Sequence, residues 1–500
     1  MRVLLTTCCL LVTIGLFSVT PAESLLFASN SPLADNSPGT QSAEKNSNMQ
    51  DSLDTAMMQI RNLRDSIRTL QASSAGATPD GRDAGYNQMV EQRYFSYLQT
   101  LTKPREQKGL FGLFGRSDQE LMEFQITELQ NYLETFSPGA RTDQVLGMLG
   151  DVYRNSGKDA LALAVYLKQL ILYPTSEIFQ QIQSKVFTLV SDKSSLQPMR
   201  DPVTELLNRG LQDETYQENY YSYLELLTSI LSTELIDWYL QECQRFLSSY
   251  PNADKGDQIY LWMAGAHQTR EQYEKAALTY TKLQLLRPDS EFLPLSYLRK
   301  GEIYRDHLKD YDKAVDAFQM LTREAEDDSM AIMAHLTVGD LYANQLKEYE
   351  KAINAYQQVV SRYGYDSKAI DAYFAQAQLY RNRLNQPYKA VEHYMSVVEK
   401  YPEQSEKCAS ALRNAGDIYR AEIKDYFSAV ETYSRLANRY PQHPSVPDRL
   451  LIAGDLAANR LNNNQRAMEL YQSIIENYPE TREAKTAERE LVKLRESGQN

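Results

Sequence analysis

The sequence predicts an all-α protein, a solenoid of stacked helix pairs preceded by one amphipathic or coiled-coil helix, and three observations carry that expectation. Glycine and proline number only 21 and 18 of 500 residues, too few for the turns of an all-β chain or for a Pro/Gly-rich disordered one. A small residue recurs at Gly265, Gly301, Gly339, Ala377, Gly416 and Gly454, at intervals of 36, 38, 38, 39 and 38, and a fixed period of that length marks a repeat architecture. Tyrosine is unusually abundant at 35 residues, and the excess falls in register with the same period.

Residues 1–22 read as a secretory signal. Met1 and Arg2 precede an apolar run from Val3 to Val19, and Thr20, Pro21 and Ala22 follow where a signal peptidase reads small residues. The run contains Thr6, Thr7, Thr13 and Ser18 and is short and polar for a membrane span. Cys8 and Cys9 do not suit lipid attachment, because Thr7 precedes Cys8 and no apolar stretch lies upstream. Residues 23–48 are polar and proline-punctuated, the composition of a flexible tether. Within 49–71, Leu53, Ala56, Ile60, Leu63, Ile67 and Leu70 recur at spacings of 3, 4, 3, 4 and 3. This is a heptad seam about three heptads long. A seam over 49–70 serves either self-association or docking on the body of the protein. Residues 72–85, ASSAGATPDGRDAG, read as a linker.

Residues 86–136 read as two helices joined by KPREQKGLFGLFGRS, with Ser117 and Glu120 forming a capping box for the second. In the connection, Leu110, Phe111, Leu113 and Phe114 are spaced by Gly109, Gly112 and Gly115 and flanked by Lys103, Arg105, Lys108 and Arg116. That composition suits contact with an anionic membrane surface or a partner pocket, or folding back to close the helical body.

The repeats occupy residues 137–480, degenerate over 137–251 and well formed over 252–480. Glycine inside a helix costs about 1 kcal/mol relative to alanine, so its recurrence implies close packing that offsets the cost. The second helix supplies matching small residues at Ala314, Ala352, Ala390, Ala429 and Ala467. Tyr304, Tyr342, Tyr380 and Tyr419, with Tyr356, Tyr394, Tyr433 and Tyr471, are expected to fill the space between successive pairs. Pro402, Pro441 and Pro479, each directly after a tyrosine, stop the second helix. Residues 481–500 then supply a polar closing helix for a stack whose last pair has no neighbour.

A small residue, an aromatic three positions on, a turn, then Ala, an aromatic and Pro: this pattern resembles the tetratricopeptide repeat over roughly 140–480, most strongly in the last five units. The resemblance implies a right-handed superhelix whose concave wall is lined by the first helix of each pair, and a role in binding other proteins. The period departs from the family's, about 38 rather than 34. The extra position carries Leu308, Leu346, Leu384, Ile423 and Leu461, which predicts a lengthened first helix with that residue buried in the turn. The order of signal, coil, linker and repeats resembles the Tol-Pal-associated periplasmic repeat proteins, which implies the periplasm of a Gram-negative bacterium.

Function classes narrow accordingly. A net charge of −13 disfavours a nucleic-acid partner. His267, His307, His335, His393 and His443 are scattered and show neither HExxH nor a nucleophile grouping, and no phosphate loop of the GxxxxGK type occurs. Cys243 and Cys408 read as lone helix thiols. No metal, cofactor or catalytic activity is therefore expected. The sequence reads as a non-enzymatic scaffold of the cell envelope that binds proteins or extended peptides. Its alternatives are a peripheral membrane tether using the 109–115 loop and an accessory subunit of an envelope enzyme complex. The groove candidates are Glu302, Asp340, Gln378, Asp417 and Asp455 in one row, with Arg305, Asn344, Arg381, Asn382, Arg420 and Asn459 beside them. Carboxylate, guanidinium and amide together suit a peptide backbone, while i,i+3 pairing of Glu302 with Arg305 and of Asp417 with Arg420 would merely brace the wall.

Overall fold

The computed structural model describes residues 65, 81–103, 118–208, 211, 215–325 and 329–497. The signal, the tether, the heptad seam apart from Asp65, the loop residues Leu110, Phe111, Leu113 and Phe114, and Ser117 of the capping box lie outside the described residues. Two compact units divide after Thr100. Helix α1 spans Gly81–Leu101, so it starts inside the segment predicted as a linker. The second unit holds every other helix.

Helices α2 (Asp118–Phe136), α3 (Thr142–Asn155) and α4 (Asp159–Leu172) open the second unit. The degenerate region follows with α5 (Phe179–Asp192), a short turn at Gln197–Met199, α6 (Arg200–Leu207), α7 (Tyr216–Thr228) and α8 (Ile236–Ser249). The regular array then runs as pairs: α9 (Gly256–Thr269) with α10 (Tyr273–Leu286), α11 (Leu293–Glu302) with α12 (Tyr311–Glu324), and α13 (Ser329–Asp340) with α14 (Tyr349–Arg362). It continues with α15 (Ala369–Asn382) and α16 (Pro387–Lys400), α17 (Ser405–Ile418) and α18 (Tyr426–Arg439), and α19 (Val446–Asn459) and α20 (Asn464–Asn477). The closing helix α21 (Arg482–Ser497) buries Ala484, Ala487 and Leu491 on one side. Among the described residues every regular element is helical, and one continuous apolar cluster reaches from Ala331 to Leu491.

The recurring glycines work differently from the expected bare crossing of two backbones. A Cβ built on Gly339, Gly416 or Gly454 would lie 2.4, 2.5 or 2.4 Å from Cε1 of Tyr356, Tyr433 or Tyr471. Those rings come from the second helix of the same pair and are fully buried. They fill space within a pair rather than between pairs, which corrects the sequence reading. Phe318 does the same at Gly301, and Tyr166 at Gly150. Gly265 meets nothing within 4 Å, because the small residue of that unit is its neighbour Ala264, which is fully buried.

That one-residue difference accounts for one residue of the long period. Gly301, Gly339, Ala377, Gly416 and Gly454 each precede the second-helix alanine by 13 positions, whereas Gly150 and Ala264 precede Ala162 and Ala276 by 12. In the longer units the turn N–H groups of Asp310, Glu348, Gln386, Asp425 and Asn463 reach back six residues, at 2.8 to 3.0 Å. In the shorter ones Lys158 and Gln272 reach back five, both at 2.9 Å. The added residue is absorbed by widening the last turn, which becomes π-helical at Ile303–Leu308, Leu341–Leu346 and Tyr419–Ile423. A left-handed residue then reverses the chain at Lys309, Lys347, Asn385, Lys424 and Asn462. Leu308, Leu346, Leu384, Ile423 and Leu461 sit just before it, half-buried.

Tyrosines ahead of the stop prolines tie neighbouring units together. Tyr478 donates to the Pro441 carbonyl at 2.8 Å, and Tyr401 donates to the Gly364 carbonyl at 2.6 Å.

The wall formed by the first helices

The residue after each recurring glycine is held by the same ring that fills the glycine's space. Tyr356, Tyr433 and Tyr471 donate their hydroxyls to Oδ1 of Asp340, Asp417 and Asp455, each at 2.6 Å. Tyr166 does so to Asp151, also at 2.6 Å. Burial first, and the adjoining carboxylate second, raise these phenols well above their ordinary range, so each remains a donor. Glycine, aspartate and tyrosine are thus one device: the glycine admits the ring and the aspartate satisfies its hydroxyl. In the unit with Phe318 there is no hydroxyl to satisfy, and the position holds Glu302.

Of the remaining predicted wall residues, Asn344, Gln378, Asn382 and Asn459 are exposed, whereas Arg305, Arg381 and Arg420 are half-buried. The expected i,i+3 bracing is not the pairing found. Glu302 accepts from Arg299 at 2.9 Å, and Arg305 is bidentate to its neighbour Asp306 at 2.7 Å. Asp417 accepts from Arg449 of the following pair at 3.0 Å. Arg381 reaches Glu422 in the next unit at 2.5 Å. Cations of the wall therefore bind both within a unit, as Arg299 and Arg305 do, and between units, as Arg381 and Arg449 do, because a guanidinium is long enough to span adjacent first helices. The structure brings the row together as single residues on successive first helices, not as one cluster.

Sequence reasoning missed a second polar site. In the degenerate region Lys168 of α4 and Glu242 of α8 form a buried ion pair at 2.6 Å. Glu242 also accepts from Arg245 at 2.6 Å and from the Tyr220 hydroxyl at 2.8 Å. Burial pushes the carboxyl up, but Lys168 and Arg245 outweigh it and leave it below its ordinary value. With the Lys168 ammonium 5.5 Å from the Trp238 ring centroid, this is a satisfied structural junction. The two partners are 74 positions apart in a stretch without a readable period, so no local signal announced it.

The histidines stand singly. His267 pairs with Gln272 at 3.0 Å, and His307 stacks on Tyr273 with centroids 3.8 Å apart. Burial pushes His335 down to about 4. Cys243 and Cys408 are free and buried, each in its own helix. Among the described residues no three His, Cys, Asp or Glu side chains gather as metal ligands, and no helix is long and apolar enough to cross a membrane.

Paired helices at this beat, with a glycine-seated aromatic in four of the six regular pairs, define a helical-repeat scaffold. The family model described as a tetratricopeptide repeat matches residues 295–327, 334–364, 371–403, 410–443 and 450–481, so those five successive segments are tetratricopeptide repeats. Among solved structures, YrrB, described as a TPR protein with an unusual peptide-binding site, is 20% identical over 40% of this chain and 95% of its own, with a TM-score of 0.28. PilW, a type IV pilus biogenesis factor, is 18% identical over 47% of this chain and 99% of its own, with a TM-score of 0.26. PilF from Pseudomonas aeruginosa is 15% identical over 47% and 98%, with a TM-score of 0.26. No curated protein matches the chain.

Proposed function

We propose that this protein is a non-enzymatic scaffold of the bacterial cell envelope that captures partner proteins or extended peptides on its first-helix wall. The observation that carries the reading is the exposed row of Asp340, Asn344, Gln378, Asn382, Asp455 and Asn459. These residues leave donors and acceptors facing solvent on three of the four units from α13 to α19, while the tyrosines and glycines beside them are used up in packing. An extended peptide needs such groups at intervals, and a stacked array supplies them without a pocket. The envelope location rests on residues 1–22, which have the charged start, apolar centre and small-residue end of an export signal.

Fractionation of the producing cells, followed by crosslinking and mass spectrometry, tests both parts. The expected result is recovery outside the cytoplasm with partner crosslinks on α13, α15, α17 and α19. Recovery in the cytoplasm removes the envelope assignment. Crosslinks confined to the second helices remove the wall.

A further inference from the structure

The aspartates of the first-helix row are two-sided, and two of them show what the second side takes. At Asp151 the Tyr166 hydroxyl occupies Oδ1, and Lys185 of α5 bonds Oδ1 and Oδ2 at 2.6 and 2.8 Å. At Asp417 the Tyr433 hydroxyl occupies Oδ1, and Arg449 from the following pair bonds Oδ2 at 3.0 Å. In both, the repeat's own tyrosine fixes the carboxylate through Oδ1, and a cation 34 or 32 positions later bonds it, across both oxygens at Asp151 and at Oδ2 alone at Asp417. The chain thus contains two filled examples of one site, once with an ammonium and once with a guanidinium.

Asp340 and Asp455 have the same glycine before them and the same tyrosine bond at 2.6 Å. The cation is what differs. Counting 32 to 34 positions on from Asp340 gives Ala372, Tyr373 and Phe374. The same count from Asp455 gives Ala487, Glu488 and Arg489, and Arg489 is engaged with the Lys485 carbonyl and Thr486. Both aspartates are exposed, and among the described residues neither has a cationic partner. Each carboxylate is therefore pre-oriented by a buried phenol, with one oxygen open to solvent where its counterparts hold a lysine or an arginine.

We propose that Asp340 and Asp455 are subsites for lysine or arginine side chains of a partner polypeptide lying along the wall. The proposal rests on the reading of the wall as a partner surface and adds the chemistry of the partner. A polypeptide suits the arrangement better than a small cation. The two subsites lie three units apart on one row, with the amides of Gln378 and Asn382 on α15 between them. A divalent ion would want several carboxylate or carbonyl oxygens around one point, and each aspartate stands singly in its unit.

Fluorescence anisotropy of the purified full-length chain with a labelled peptide of eight Lys-Ser repeats tests this, with Glu-Ser and Gln-Ser peptides of equal length as comparators. Asp340→Asn and Asp455→Asn keep a carbonyl oxygen for the tyrosine and remove only the charge, so the pairs should remain folded, which a circular-dichroism melt verifies. Each substitution should weaken the lysine peptide by about 2–5-fold and the double variant by about 5–20-fold, the range of exposed ion pairs at pre-oriented sites. A control variant, Glu350→Gln with Glu392→Gln on the second helices, removes equal charge elsewhere and should leave affinity nearly unchanged. Equal weakening by the control overturns the subsites, since a chain of net charge −13 attracts cations diffusely. Equal or tighter binding of Glu-Ser or Gln-Ser, competing at the same wall, also overturns them while leaving the wall reading intact. Absence of saturable binding by the lysine peptide overturns the subsites alone, and the crosslinking pattern decides the wall separately.

Discussion

Alanine substituted for two glycines of the array should give opposite signs, and the structure sets both magnitudes. At Gly416 the new Cβ would lie 2.5, 2.8 and 3.0 Å from Cε1, Cδ1 and Cζ of Tyr433. That ring is fully buried and pinned through its hydroxyl to Asp417 at 2.6 Å, so it cannot swing aside without breaking a bond. Overpacking of this kind costs about 1–3 kcal/mol, and three ring atoms in overlap place it toward the upper end. The gain in helix propensity from glycine to alanine returns about 1 kcal/mol, which leaves Gly416→Ala destabilising by about 1–2 kcal/mol. At Gly265 nothing lies within 4 Å of the new Cβ, so only the propensity gain acts, about 1 kcal/mol of stabilisation. Hydrogen exchange read by mass spectrometry on peptides from α17 and α18, and from α9 and α10, measures both effects locally, as a repeat array requires. Loss of protection in the first region and gain in the second is the expected outcome. A neutral or stabilising Gly416→Ala would show that the ring does not sit over that glycine, and the packing scheme of the pairs built on Gly301, Gly339 and Gly454 would fall with it.

Tyr433→Phe removes the hydroxyl that orients Asp417 but keeps the ring, so chemical denaturation should register a loss of about 0.5–1.5 kcal/mol, with no change in the helical content seen by circular dichroism. Lys168→Met strands Glu242 in the interior with Arg245 alone and should cost about 3–5 kcal/mol; urea titration checks it, and the further change Glu242→Leu should recover much of that loss. Because Glu242 is held below its ordinary carboxyl value, its contribution is present above about 4.5 and lost as pH falls further. Glu242→Gln should therefore flatten the acid limb of the stability curve. His335, neutral rather than charged when buried, gives the same pH direction at a higher pH. Its folded value of about 4 lies below the 6.5 of the free side chain, so the unfolded chain gains a proton first and stability falls between those two pH values. His335→Gln should reduce that fall in pH-dependent thermal melts.

The regular pairs were legible because each carries its packing in short-range spacing. Gly339, Tyr342, Ala352 and Tyr356 lie within 18 residues, so period, small residue and aromatic are read from one window. The role of the aspartate was not legible in the same window, although Asp340 stands beside Gly339, because charge next to glycine reads equally well as surface. Only the 2.6 Å bond from Tyr356 shows it to be the ring's acceptor. The frame slipped by one at Gly265 because Ala264 and Ala266 flank it and all three are small; the missing residue in the turn decides which one packs. Arg449 with Asp417 and Lys185 with Asp151 escaped because they join different units. Lys168 with Glu242 escaped because the intervening units have lost their period.

Placing a photoreactive amino acid at Asn344, Asn382 or Asn459, and in parallel at Asn354, Glu392 or Glu431 on the exposed sides of the second helices, tests partner capture by the first-helix wall most directly. Irradiation of cells carrying each variant should give partner adducts from the first set and little from the second. Adducts that arise equally from both sets, or only from the second, would contradict a binding surface built from the first helices.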